Sequence, residues 1–316
     1  MKKVVVLGGG HGNSAILKGL KDFPIDLTTI VSVCDNGSST GKLREEIDMP
    51  AVGDIRNVLL SLSEDTLLKD ILNYRLKAKG SLNNHSIGNI IMAGIYQNNS
   101  NNLLETTNIA RRLFNIKTKI FPLSEDSLTL IAQTKNNNII IGESQISKNN
   151  EEKHVVFYDK NATTLLEAKK ALEDADVIVI SPGSLWTSTL PILICEDVKE
   201  ILKKTKAKII YVCNLFTQPG ETINYTASDH VKTINRHIGE NVINTIILNN
   251  KQITNELLDK YKNEENKDLI INDYDRLKEL NISIIEDNLL DLSDGTIKHN
   301  STMVAFLIYA YLMRLS

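Results

Sequence analysis

Gly8-Gly9-Gly10-His11-Gly12 is the first segment whose residue types could do chemistry, and it would do so through backbone. Glycine lets main-chain N–H groups approach an anion, and a helix beginning there adds partial positive charge. Gly9, Gly10, His11, Gly12 and Asn13 are therefore candidate ligand-binding residues. Gly10, Gly12 and Ala15 also fit the GxGxxA form of the dinucleotide fingerprint, with Asp35 placed as its ribose carboxylate. The plainer reading of the same glycines is a tight turn that packs a helix on a strand.

The segment Asp35 to Arg44, DNGSSTGKLR, gathers amides, hydroxyls and two cations behind an apolar run. Asp35, Asn36, Ser38, Ser39, Lys42 and Arg44 there suit diphosphate or sugar-phosphate oxygens. It is not a Walker A loop, because Leu43 stands where a Ser or Thr would hold magnesium. Asp54, Arg56 and Asn57 open one helical pattern, and His85 and Asn89 open another. Helix starts also attract such residues as plain caps. Gly183-Ser184 forms a further glycine turn, and Asn214, Thr217 and Gln218 lie in a polar loop behind a strand.

These segments need elements to hold them. Val4–Leu7, Leu27–Cys34, Val177–Ile180 and Lys208–Cys213 are apolar, β-branched runs of the kind buried on both faces of a parallel sheet. Helical spacing recurs over 53–62, 67–76, 87–96 and 103–114, and again over 165–172 and 198–204. Between them, 117–160 carries short β-branched runs separated by polar turns, which reads as a small β-rich insertion. The pattern predicts a three-layer, Rossmann-like α/β fold with a mostly parallel sheet and helices on both faces. The polar loops would then meet at the carboxyl ends of the strands, in one crevice of a single domain over 1–316. Helix 303–313 is apolar nearly all round but too short to span a bilayer, so it reads as a core helix, with a homodimer contact as the second reading.

Composition narrows the function classes. With 36 Lys+Arg against 39 Asp+Glu in 316 residues, and no long basic block, a nucleic-acid partner is not expected. Cys34, Cys195 and Cys213 are too few and scattered for a disulfide framework or a zinc site, which points to a reduced, cytoplasmic setting without a membrane anchor. No metal-ligating cluster stands out.

The ordered set GGGHG (8–12), DNGSSTGKLR (35–44), GDIRN (53–57), HSIGN (85–89), SPGSLWTS (181–188), NLFTQPGET (214–222) and YTASDHV (225–231) closely resembles the YvcK/GlmR gluconeogenesis-factor family. That family is related to the CofD-type 2-phospho-L-lactate transferases, and the resemblance continues through IKHNS at 297–301. It implies a cytoplasmic CofD-like protein that binds a nucleotide diphosphate-sugar such as UDP-GlcNAc, with a role in envelope precursor supply and cell shape under gluconeogenic growth. It also implies an amino-sugar synthesis enzyme as protein partner. In the transferase relatives the same framework moves a phospholactyl group with a magnesium ion. Asp35 and Asp54 would then be the catalytic pair, with Lys42, Arg44 and Arg56 stabilising diphosphate charge.

Three departures from the family pattern stand out. His11 replaces a more usual Thr, Asn36 replaces a second Asp, and Lys298-His299-Asn300 replaces Arg-His-Asp. Lys298 remains a candidate ligand residue, without the bidentate fork of an arginine. Asn36 removes a candidate magnesium ligand. Three functions follow in order: a UDP-sugar-binding regulator with no required cofactor, a magnesium-dependent phospholactate-transferase-like enzyme, and an NAD-binding oxidoreductase.

Overall fold

The structure, a computed structural model, describes residues 1–293 and 295–315. Lys3–Leu7 forms β1, whose side chains alternate between two cores: Val4 and Val6 pack on one side of the sheet, Val5 and Leu7 on the other. Such a strand must lie between two helical layers. β2 (Asp26–Val31) and β3 (Lys119–Pro122) follow on one side. β4 (Leu130–Thr134), β5 (Ile139–Ile141) and β6 (Lys153–Tyr158) form a separate antiparallel sheet in the order β5-β4-β6. β7 (Val177–Ile180), β8 (Lys208–Val212), β9 (Thr245–Asn249) and β10 (Ser283–Asp287) extend the main sheet on its other side.

The seven-stranded order is β10-β9-β8-β7-β1-β2-β3, and every neighbouring pair is parallel. The chain reverses its direction of travel across the sheet between β1 and β7. In open α/β sheets that switch point is where loops diverge and a crevice opens. A two-stranded ribbon, β11 (Leu290–Asp291) with β12 (Lys298–His299), closes over the same end.

Seven helices matter to the site: α1 (Gly10–Leu20), α2 (Ser38–Ile47), α3 (Gly53–Leu62), α4 (Thr66–Asn73), α5 (Ile87–Asn98), α6 (Leu103–Leu113) and α7 (Glu143–Lys148). α1 packs against the last helix, Ser301–Arg314, so closely that a Cβ on Gly19 would lie 2.0 Å from the Ser301 carbonyl oxygen. Val304, Ala305, Ile308 and Leu312 of that helix are buried, while Phe306 is 54% exposed. No helix among the described residues is long and apolar enough to cross a membrane.

Some local expectations change. Asp35–Arg44 is not one polar loop: α2 begins at Ser38, with Thr40 and Gly41 N–H groups already bonded to the Gly37 carbonyl. The β-rich stretch is also divided, because Lys119–Pro122 joins the main sheet and the antiparallel part spans 130–158, with α7 inside it. Behind β7 the chain makes a π-helical turn, Leu185–Thr189, that hydropathy spacing does not announce.

Candidate functional site

The glycine turn leaves β1 at the switch point and is walled on both sides by protein. A Cβ on Gly12 would lie 1.9 Å from the Pro182 carbonyl oxygen, and one on Gly9 would lie 2.3 Å from Asp54 Oδ2. Gly10 has φ +65°, a left-handed conformation that side-chain-bearing residues rarely adopt. These positions need glycine so that the loop after β7 and the start of α3 can close on the turn. Behind it Asn13 is fully buried, donating to the Gly8 carbonyl at 3.0 Å and to Thr29 Oγ1 at 3.2 Å, so it braces the turn.

On the β7–β8 side lies a cleft of about 340 Å³. Its lining includes Gly9, Gly10, His11 and Gly12, then Gly183, Ser184, Asn214 and Gln218, and across the opening Lys298 and His299. No carboxylate is among the described residues that line it. Most polar groups here are already fixed. Asn214 accepts from Gly183 N–H at 3.0 Å and donates to the Gly183 carbonyl at 2.6 Å, locking two loops together. Ser184 donates to the buried Glu221 carboxylate at 2.5 Å, and Glu221 also accepts from Thr187 Oγ1 and Trp186 N–H. Burial raises the Glu221 pKa while these hydrogen bonds oppose the rise. Gln218 differs, for its Oε1 is buried with no hydrogen-bond partner. His299 donates from Nε2 to the Cys213 carbonyl at 3.0 Å. Burial lowers its pKa to about 4, so the ring is neutral at pH 7 and its Nδ1 is left as an acceptor.

The opposite wall, from β2 and α3, is dense in charge. Asp54 Oδ1 accepts the Gly10 N–H at 2.9 Å, so the N–H that a dinucleotide fold offers to pyrophosphate faces a carboxylate. Burial first, and then the Asp35 carboxylate, raise the Asp54 pKa to about 7. Asp35 Oδ1 accepts from Gly37 N–H at 2.8 Å, and a Cβ on Gly53 would lie 2.3 Å from its Oδ2. Glu143, brought in by α7, is also pushed up to about 7, by burial and then by Asp35 and Asp54. Asn36 is used in this junction: its Oδ1 accepts from Ser144 N–H at 2.8 Å and ties α7 to β2.

A family model described as 2-phospho-L-lactate transferase CofD matches residues 4–290. The chain belongs to the CofD family. It is 38% identical over 306 residues to the gluconeogenesis factor of Halalkalibacterium halodurans, covering 96% of this chain and 94% of that protein. It is 37% identical over 308 residues to the gluconeogenesis factor of Bacillus subtilis, covering 97% and 96%. A crystal structure of a UPF0052-family protein from Bacillus halodurans superposes with a TM-score of 0.93 at 38% identity, covering 98% of this chain and 99% of that one.

Within this CofD-family fold the motif residues separate by role. Arg44 reaches back to the Cys34, Asp35 and Leu128 carbonyls, the last at 2.6 Å, and so braces the end of β2. Lys42 is exposed on α2, outside the cleft lining. Thr217 faces away, its hydroxyl accepting from Asp268 N–H at 3.0 Å. Ser39, His85 and Asn89 form a buried cluster, with Ser39 Oγ 3.0 Å from His85 Nδ1 and 3.2 Å from Asn89 Nδ2. Arg56 donates to Ser86 Oγ and to Asn57 Oδ1 at 2.8 Å. Ser38 accepts from Arg75 and Asn84.

Sequence reasoning missed Glu143, Glu221, His299 and Arg75 as site residues. Glu221 and His299 lie inside motifs, NLFTQPGET and IKHNS, and could have been taken with them. Glu143 and Arg75 carry no motif signal, since only tertiary packing brings them in.

Proposed function

We propose that this chain is a ligand-binding regulator of the gluconeogenesis-factor type, whose cleft takes a nucleotide diphosphate-sugar such as UDP-GlcNAc. The carrying observation is the unpartnered buried acceptor Gln218 Oε1 in the switch-point cleft, set with the glycine backbone and Lys298 in a lining that holds no carboxylate among the described residues. An N–H or hydroxyl of a base or sugar suits the first, and diphosphate oxygens suit the other two. The relatives named gluconeogenesis factor support the gluconeogenesis-factor part of this reading. In this reading the bound state acts on a partner enzyme of amino-sugar synthesis in the cytoplasm.

One observation favours a second, transferase-like reading. Asp54 beside the glycine turn, with a pKa near 7, is a carboxylate able to take up a proton at neutral pH. The family model is itself described by a transferase activity. A magnesium ion fits the chemistry of Asp35 and Asp54, because Mg²⁺ is often held by one or two carboxylates together with ligand phosphates. When bound, it would offset the Asp35 repulsion that adds to burial in raising Asp54, and neutralise developing diphosphate charge. Asp35 would then orient the ion and Asp54 would hold the acceptor proton.

Calorimetry with UDP-GlcNAc, GDP and NAD, each with and without magnesium, tests the two readings. The regulator reading expects UDP-GlcNAc binding without magnesium and an unchanged ligand after prolonged incubation. Absence of UDP-GlcNAc binding at millimolar concentration overturns it. Magnesium-dependent GDP binding in its place supports the transferase.

A further inference from the structure

We propose that α2 and α5 frame a second anion site, outside the switch-point cleft, that takes a phosphate dianion, free or as a monoester. Its centre is an arginine pair. Arg56 sends Nη1 to Ser86 Oγ, the cap of α5, and its Nε is buried without a hydrogen-bond partner. Arg75 donates to the Asn84 carbonyl at 2.9 Å and to Ser38 Oγ at 3.4 Å, and its backbone bridges to Ser86. Each guanidinium thus reaches its own serine hydroxyl, Arg56 that of Ser86 and Arg75 that of Ser38, and the backbone bridge from Arg75 to Ser86 holds the two arginines in one neighbourhood.

The arrangement is built into the packing. A Cβ on Gly88 would lie 2.7 Å from Arg56 Cδ, so α5 carries glycine where the arginine stem passes. Ser38 starts α2 with φ 43°, and no side chain caps that helix at Gly37. Lys42, one turn along the same exposed face as Ser38, adds a third cation. None of Arg56, Arg75 and Lys42 makes an ion pair among the described residues, and burial first, then the like charge of Arg75, lowers the Arg56 pKa. Asp35 and Asp54 act on Arg56 from the cleft side and partly offset that repulsion.

Cations without carboxylate partners among the described residues, serine hydroxyls and an uncapped helix start suit a group with several strong acceptor oxygens and two negative charges. A phosphoryl group meets that description. None of these residues lines the cleft, so a phosphate could be bound beside a nucleotide-sugar as effector or co-ligand. The inference does not depend on what the cleft binds.

The test is ³¹P NMR or calorimetric titration of the full chain at pH 8 with orthophosphate and with glucose 6-phosphate. Saturable binding should weaken about tenfold in Arg75→Gln, an exposed position where folding is checked by melting, and stay unchanged in Lys298→Gln. Binding should also persist with UDP-GlcNAc present. The tighter of the two probes assigns the source, monoester or free ion. No binding at millimolar phosphate overturns the proposal. So does binding that survives Arg75→Gln and disappears in Lys298→Gln, which would place the anion in the cleft.

Discussion

The two walls of the glycine turn handle charge in opposite ways. Among the described residues the β7–β8 wall lines its cleft without a carboxylate, and its polar atoms are mostly locked by backbone, as Asn214 is by Gly183. The β2–α3 wall concentrates Asp35, Asp54 and Glu143 against Arg56, and two of those carboxyls sit near pKa 7. A wall locked by its own hydrogen bonds suits shape and hydrogen-bond recognition. A charge-dense, titrating wall suits responding to protons, cations or a second ligand. Similar glycine and Asp motifs would be expected to serve one crevice uniformly, yet tertiary packing splits them into a half suited to recognising a ligand and a half suited to responding to one.

The comparison first stands or falls on the hinge between the walls. Gly12→Ala puts a methyl group into the Pro182 carbonyl, which is backbone and cannot rotate away. Urea unfolding should show a loss of about 3 kcal/mol, the upper end of overpacking penalties. A near-normal midpoint would mean that the β7 loop is free to retreat and the cleft wall is not rigid.

Asp54→Asn tests the responding wall. Asp54 has a folded pKa of about 7 against an ordinary 3.8, so the folded chain holds this proton more tightly than the unfolded chain. Its contribution to stability is therefore full below about pH 4, declines as pH rises, and is lost by about pH 7. Asparagine keeps an acceptor for Gly10 N–H and removes that decline. Solvent reaching part of the carboxyl screens the effect, so the gain at pH 8 is roughly 2 kcal/mol, with little change at pH 4. Melting curves across pH 4–8 check it, and equal shifts at both ends would dissociate Asp54 from the pH response.

Gln218→Ala tests the recognising wall in the opposite sense. Its buried oxygen has no partner in the free chain, so truncation should leave stability unchanged. Ligand affinity should fall about fivefold if a hydrogen bond forms only on binding. Lost stability with intact affinity would make Gln218 a structural residue and remove the acceptor from the proposed site.

The sheet and the switch point were legible in sequence because a strand buried on both faces must be a continuous apolar run, as Val4–Leu7 and Val177–Ile180 are. The division between walls was not. DNGSSTGKLR reads as one polar cluster, but a helix starting at Ser38 turns Arg44 back onto the Cys34, Asp35 and Leu128 carbonyls and leaves Lys42 exposed. Glu143 reaches Asp35 only because an antiparallel insertion folds back through the Asn36–Ser144 bond, a contact 108 residues apart in sequence. Motif spacing encodes local geometry, whereas charge balance in a crevice is set by contacts at long sequence separation.

Lys298→Arg makes the smallest change and asks where along the recognising wall the diphosphate lies. Lys298 is exposed on β12 at the cleft opening, so arginine should fold equally well there. A lysine ammonium serves diphosphate as a point charge, while a guanidinium offers two parallel N–H donors to one phosphate. If the diphosphate sits against β12, UDP-GlcNAc affinity should rise about threefold, and uridine, which has no phosphate, should bind as before. An equal gain for uridine would mean that the new side chain stacks on the base. No gain for either ligand would move the diphosphate toward Asp35 and Asp54, where a bound cation, and not Lys298, would have to balance its charge.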